Sequence, residues 1–113
     1  MLKVKGRFIL NGSGEKVRLT GIALGGWLMM EGYMLGGRNI AEHIFKQQLG
    51  SLAKEFTHEF RNRFINPQDA QIIKKLGFNC VRIPFNYRIL EEEGWGIEAL
   101  KTIVSWFTDI KIY

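Results

Sequence analysis

The sequence predicts an α/β fold of parallel strand–helix units behind an N-terminal β-hairpin. Three observations carry this. Short β-rich runs alternate with helical periodicity along most of the 113 residues, the pattern that leads to parallel βα units. One run, Gly77-Phe78-Asn79-Cys80-Val81-Arg82-Ile83-Pro84, reads as a strand between a glycine that closes a helix and a proline that stops the ladder. Near the front, two loosely alternating stretches, residues 2–10 and 16–20, flank Asn11-Gly12-Ser13-Gly14-Glu15, a turn cluster able to supply positive φ angles.

The elements follow in order. Residues 1–19 form the hairpin. Residues 20–24 form the first parallel strand, ended by Gly25-Gly26. A glycine- and methionine-rich loop, residues 27–38, leaves the C-terminal end of that strand and carries Met29, Met30 and Met34. Asn39 is expected to cap a helix through Gln48, with Ile40, Ile44, Phe45 and Leu49 on one face. Gly50 interrupts it, and Ser51 is expected to cap the next helix. There Leu52, Phe56, Phe60 and Phe64 recur every four residues, a stripe that reads as core. Asn66-Pro67-Gln68-Asp69 is a helix start: a capping amide, proline in the first turn and an acid at the third position. Ile72, Ile73 and Leu76 carry that helix to Gly77. After Pro84 comes the loop Phe85-Asn86-Tyr87-Arg88, and an acidic triplet at 91–93, read as a solvated rim before Trp95. A helix over 97–107 presents Leu100, Val104 and Phe107, and residues 109–113 begin a third strand.

Composition narrows the function classes. At 46% hydrophobic residues the chain is globular rather than disordered. The net charge of +5 raises nucleic acid or an anionic surface as partners. Along the sequence, however, the cations are interspersed with acids, and no basic stripe with interleaved aromatics emerges, so nucleic acid is not expected. Cys80 is the single cysteine and reads as a buried thiol. His43 and His58 stand in no ligand cluster, so neither metal nor cofactor is expected. The longest apolar run near the front, residues 21–30, is too short and glycine-broken to cross a membrane. Residues 1–5 are not followed by the long apolar stretch of a signal peptide; if Met1 is the true start, the compartment is cytoplasmic.

The chemistry concentrates at Arg82. Side chains alternate along a strand, so Cys80 and Arg82 share one face while Val81 and Ile83 share the other. Val81 and Ile83 can pack under a helix. Arg82 then points the opposite way, where a guanidinium is costly unless a carboxylate meets it. An arginine snorkelling at a strand end is the plainer alternative.

A second unusual segment, Leu19-Thr20-Gly21-Ile22-Ala23-Leu24-Gly25-Gly26-Trp27-Leu28, is followed by Glu31, then Phe64-Ile65-Asn66, then the Arg82 strand. This ordered set resembles family five of the glycoside hydrolases, the cellulases and above all their β-glucanase and exo-1,3-glucanase-like members. The resemblance runs from about Leu2 to Tyr113. It implies an eightfold (β/α) barrel, an architecture of about 250 residues, of which residues 1–113 are an N-terminal segment: the hairpin over 1–19, closing the bottom of the barrel, and the first two to three βα units over 20–113. It also implies a retaining mechanism, which needs two carboxylates about 5–5.5 Å apart. The family's acid/base and nucleophile lie at the ends of the fourth and seventh strands, so no catalytic carboxylate is expected in this chain. What the family implies here is support. Arg82 matches the arginine that hydrogen-bonds the nucleophile, and Glu31 matches a residue that contacts sugar hydroxyls. Trp27 shapes the site or packs beneath it, and Tyr87 and Trp95 are candidates to line the sugar cleft. The implied partners are a β-glucan or another β-linked oligosaccharide and the remainder of the barrel; family members are often secreted. The alternative is a non-catalytic remnant serving as a small carbohydrate- or protein-binding module.

Overall fold

The computed structural model describes residues 1–91 and 95–113. Two strand pairings and four α-helices organise them. Strands β1 (Lys3–Lys5) and β2 (Phe8–Leu10) pair antiparallel, Lys5 opposite Phe8. Strands β3 (Gly21–Ala23) and β4 (Cys80–Arg82) pair parallel, with Gly21, Ile22 and Ala23 opposite Cys80, Val81 and Arg82. Between β3 and β4 lie α1 (Glu42–Leu49), α2 (Ala53–Phe64) and α3 (Pro67–Lys75), and α4 (Gly96–Thr108) follows β4. The fold is thus a partial α/β structure with a right order of strand, helix, strand, helix.

The hairpin differs from the expected one. Its tight turn is Gly6-Arg7, with Gly6 at φ 58°, the glycine-first pattern of a two-residue hairpin loop. The Asn11–Glu15 cluster is a second turn. It brings Lys16 back against Leu10 in an antiparallel bridge, and Val17 N–H donates to the Ile9 carbonyl at 2.8 Å. Three short segments therefore form a meander, where the sequence suggested two longer strands. One residue ties it to the parallel pair: the Asn79 side chain accepts from Thr20 N–H at 2.8 Å and donates to the Arg18 carbonyl at 2.9 Å.

The helix starts divide by capping chemistry. At α3 the expected cap forms in full: the Asn66 side chain accepts from Gln68 and Asp69 N–H, and the Asp69 carboxylate accepts from Asn66 N–H at 2.9 Å. Gly77, at φ 85°, turns the chain out of that helix into β4. Asn39 does not cap α1, which starts later behind Ala41, and Ser51 lies in a 3-10 turn (Gly50–Leu52) that runs into α2 with no side-chain cap. Both were plausible caps with no turn placing their oxygens over free N–H groups. Asn66→Ala is expected to cost about 1 kcal/mol, the usual worth of an amide cap, read as a lowered urea midpoint; an unchanged midpoint would remove the cap from the account of why α3 begins there.

The core lies where α3 and α4 cover the parallel pair. Leu24, Trp27, Leu28, Ala70, Ile73, Ile89, Ile103, Phe107 and Ile112 are buried together, with Val81 and Ile83 packed against them. The helix faces are rotated from those expected. On α3 the buried residues are Ala70 and Ile73 while Ile72 and Leu76 are exposed; on α4 Ile103 is buried and Val104 exposed. On α2 the buried pair is Thr57 and Arg61, and the Thr57 hydroxyl is satisfied by the Ala53 carbonyl at 2.7 Å. Most of the expected stripe is not core: Leu52, Phe56 and Phe64 are exposed, and Phe60 alone of the four packs against the core cluster. Phe56, Phe60 and Phe64 stack along α2 with Phe45 edge-on, and line an open apolar groove of about 700 Å³ beneath the 27–38 loop. Period-four spacing placed them on one face correctly; what that face meets is decided by the neighbouring elements.

The third strand is barely begun. Residues 109–111 close α4 as a turn, with Lys111 at φ 59°. Only Tyr113 reaches β4, donating to the Asn79 carbonyl at 2.9 Å and accepting from Val81 N–H at 2.8 Å, the pattern of a parallel neighbour. Cys80 is half-buried, not buried, because its face of the sheet carries no cover among the described residues.

Candidate functional site

The site is assembled from two loops at the C-terminal end of the parallel pair. One leaves β3, the other β4, and backbone bonds tie them: Leu28 bridges Phe85, and Asn86 N–H donates to the Leu28 carbonyl at 3.2 Å. In βα folds this is the end where ligands bind.

Arg82 sits at the end of β4, opposite Ala23. Val81 and Ile83 pack on the core, so alternation turns Arg82 to the other face, where it is exposed. Its carbonyl accepts from Leu24 N–H at 2.9 Å, while its guanidinium has no ion-pair or hydrogen-bond partner among the described residues. Glu31 stands at the N-terminal position of the 3-10 turn Gly32–Leu35, in the loop after β3, without a side-chain capping bond. Its carboxylate accepts from the Tyr33 hydroxyl at 3.2 Å, and its Oε2 lies 3.8 Å from where a Cβ at Gly25 would stand. The negative charge of Glu31, and the hydrogen bond to it, hold the Tyr33 phenol above its ordinary pKa. The hydrogen bond between them lies on the surface, with Tyr33 well exposed. The structure does not put Glu31 in contact with Arg82.

Of the two roles open to Trp27, shaping the site or packing beneath it, the structure shows the second. Its side chain is 1% exposed, its Nε1 donates to the Arg61 carbonyl at 2.9 Å, and its ring lies 6.2 Å from that of Trp106. A bulky amphipathic ring after a Gly-Gly turn can be buried only where its N–H finds an acceptor, and α2 supplies one. Trp27 packs beneath the site and offers no free ring face. Tyr87 opens the 3-10 turn Tyr87–Leu90 and is well exposed, with the Arg88 guanidinium 5.8 Å from its ring centroid. Trp95 is half-buried, and the Arg61 guanidinium lies over its ring at 4.7 Å. Of the acidic triplet, Glu91 is exposed; Glu92 and Glu93 lie outside the described residues.

Three residues that hold the site were not singled out by sequence reasoning. Tyr33 orients Glu31. Arg61, 3% exposed, joins α2 to Trp27 and Trp95. Glu42 anchors the first loop, accepting from Met30 N–H at 3.1 Å and pairing with Lys46 at 2.7 Å. The spacing Glu31-Gly32-Tyr33 carried a weak signal for the first. The other two depend on contacts between distant segments. No group of three or more metal-ligating side chains occurs among the described residues.

Comparison with known proteins gives the chain its relatives. No family model matches it. A beta-xylosidase of Phanerodontia chrysosporium is 36% identical over 96 residues, 81% of this chain and 20% of that protein. Glucan 1,3-beta-glucosidase I/II of Saccharomyces cerevisiae is 35% identical over 89 residues, 66% of this chain and 19% of that protein. The sporulation-specific glucan 1,3-beta-glucosidase of the same yeast is 30% identical over 93 residues, 69% of this chain and 21% of that protein. Among solved structures, AoRut superposes with a TM-score of 0.60 at 23% identity, over 82% of this chain and 29% of that one, which supports the α/β fold. The chain spans about one fifth of the length of the curated relatives it matches. On these relatives it belongs to the glycoside hydrolase family.

Proposed function

We propose that the chain is the N-terminal segment of a retaining β-glucan hydrolase built on a (β/α)8 barrel. Residues 1–19 form its bottom hairpin and residues 20–113 its first βα units. The observation that carries this is the parallel β3/β4 pair with one bare face. Parallel sheets are covered on both faces in finished folds. Here Val81 and Ile83 pack on the core while Arg82, on the opposite face of β4, is exposed, and β3 beside it is exposed at all three residues. A closed barrel would turn that face inward and bring its later strands, with their carboxylates, opposite Arg82.

In this reading Glu31 binds sugar hydroxyls, Tyr33 positions it, and Tyr87 lines the cleft. Arg82 donates to the nucleophilic carboxylate. A fixed guanidinium keeps that carboxylate ionised and aimed, as a charge-assisted fork does elsewhere. The relatives' names, glucan 1,3-beta-glucosidase above all, support a β-linked glucose polymer as substrate. The 113-residue chain alone supplies substrate contacts and a supporting charge and no acid/base pair, so it should not hydrolyse laminarin above a buffer blank. Turnover that survives repurification and disappears on mutating Glu31 would refute this division of labour. In a hydrolase carrying this segment, Glu31→Ala should raise KM at least as much as it lowers kcat, because the contact is made to bound sugar in ground and transition states alike.

A further inference from the structure

The positive charge of the chain is gathered in one place. Residues 1–20 hold Lys3, Lys5, Arg7, Lys16 and Arg18 against the single acid Glu15, so they carry +4 of the net +5. All five cations are exposed, and none has an ion-pair partner among the described residues. The Glu15 carboxylate is taken up by Asn11 Nδ2 at 2.8 Å. Cross-strand partners share a face. Lys5 therefore stands with Phe8 and Lys3 with Leu10, while Val4 and Ile9 stand on the other side. Lys16, bridged to Leu10, joins the first face, its Nζ 3.8 Å from the Phe8 ring centroid, and the Arg7 Cζ lies 5.3 Å from the same ring. The meander thus gathers its three lysines, around Phe8 and Leu10, on one face and leaves Val4 and Ile9 on the other. Lys3 and Lys5 flank β2 on one side and Lys16 on the other, and a hairpin this short is marginal by itself.

We propose that this lysine face is a docking surface for an anionic polysaccharide, a uronate-bearing polymer. The choice of a polysaccharide rests on the glycosidase reading; the charge complementarity does not. Three ammonium groups on adjacent rungs offer point charges to a linear array of carboxylates. Single-stranded nucleic acid is disfavoured because it needs aromatic stacking platforms, and this face has one aromatic, Phe8, with Lys16 already seated over its ring. A bilayer is disfavoured because the freest apolar side chain of the hairpin, Val4, points away from the lysines.

The test measures depletion of the purified chain by polygalacturonate beads. Binding should weaken at least roughly tenfold between 50 and 200 mM salt, as expected when several cations displace condensed counterions. The triple variant Lys3→Gln, Lys5→Gln, Lys16→Gln should lose at least roughly tenfold in affinity by the same counterion argument. A control triple, Lys54→Gln, Lys75→Gln, Lys101→Gln, changes net charge equally and should bind as the parent does. Thermal unfolding of both triples checks that each is folded. No binding, equal loss in both triples, or tighter binding to oligothymidylate of matched charge would each overturn the proposal. In a hydrolase carrying this segment the hairpin triple should leave laminarin hydrolysis unchanged, so this surface and the glucan reading can fail separately.

Discussion

Trp27→Ala should abolish cooperative folding of this chain or come close to it. Removing a fully buried large aromatic costs about 3–5 kcal/mol, against a total of about 5–15 kcal/mol for an ordinary domain. This chain stands at the low end, because one face of its parallel pair and its phenylalanine groove are open. The cost has two sources. The indole fills the junction of the β3 loop, α2 and α4, stacked near Trp106, and its N–H satisfies the Arg61 carbonyl. Trp27→Phe separates them: it keeps most of the volume and should cost about 1–3 kcal/mol, the range for leaving a buried acceptor unpaired. Urea unfolding followed by far-UV circular dichroism gives both numbers. A Trp27→Ala midpoint within error of the parent would show that the junction is held by other contacts.

Arg82→Lys should do the reverse, leaving the fold alone and removing activity. In this chain the guanidinium is exposed and unpartnered among the described residues, so stability should move by no more than about 0.5 kcal/mol, as at other surface positions. In a hydrolase carrying the segment, the loss of one preorganised charged donor should lower kcat by about 10²–10³. Lysine does not rescue it, because an ammonium lacks the planar fork that meets two carboxylate oxygens at once. KM for laminarin should change far less, since the proposed role has Arg82 meet the nucleophile rather than sugar. A kcat within threefold of the parent would remove Arg82 from the reaction and leave it an arginine at a strand end.

These two residues also mark the division between sequence and tertiary structure. The alternation around Arg82 is a property of the strand itself. Val81 and Ile83 had to seek apolar cover, so the direction of Arg82 was legible without coordinates, as was the Asn66-Pro67-Gln68-Asp69 cap, whose donors and acceptors lie within one turn. The glycine and proline punctuation likewise placed β3, β4 and α3 in order, and the ordered motifs pointed to the family. Trp27 was different. Whether an indole faces a ligand or a core depends on what lies above it, and that was decided by the Arg61 carbonyl, 34 positions away. The phenylalanines of α2 show the same limit: their spacing fixed a common face, but only the packing of the 27–38 loop left that face open as a groove. The clustering of lysines on one side of the hairpin is of this kind too. Sequence spaced them among other residues, and strand register put them on one face, on either side of β2. Short-range geometry and capping are written locally in the chain. Which faces are covered and which charges become neighbours depends on segments meeting across the fold.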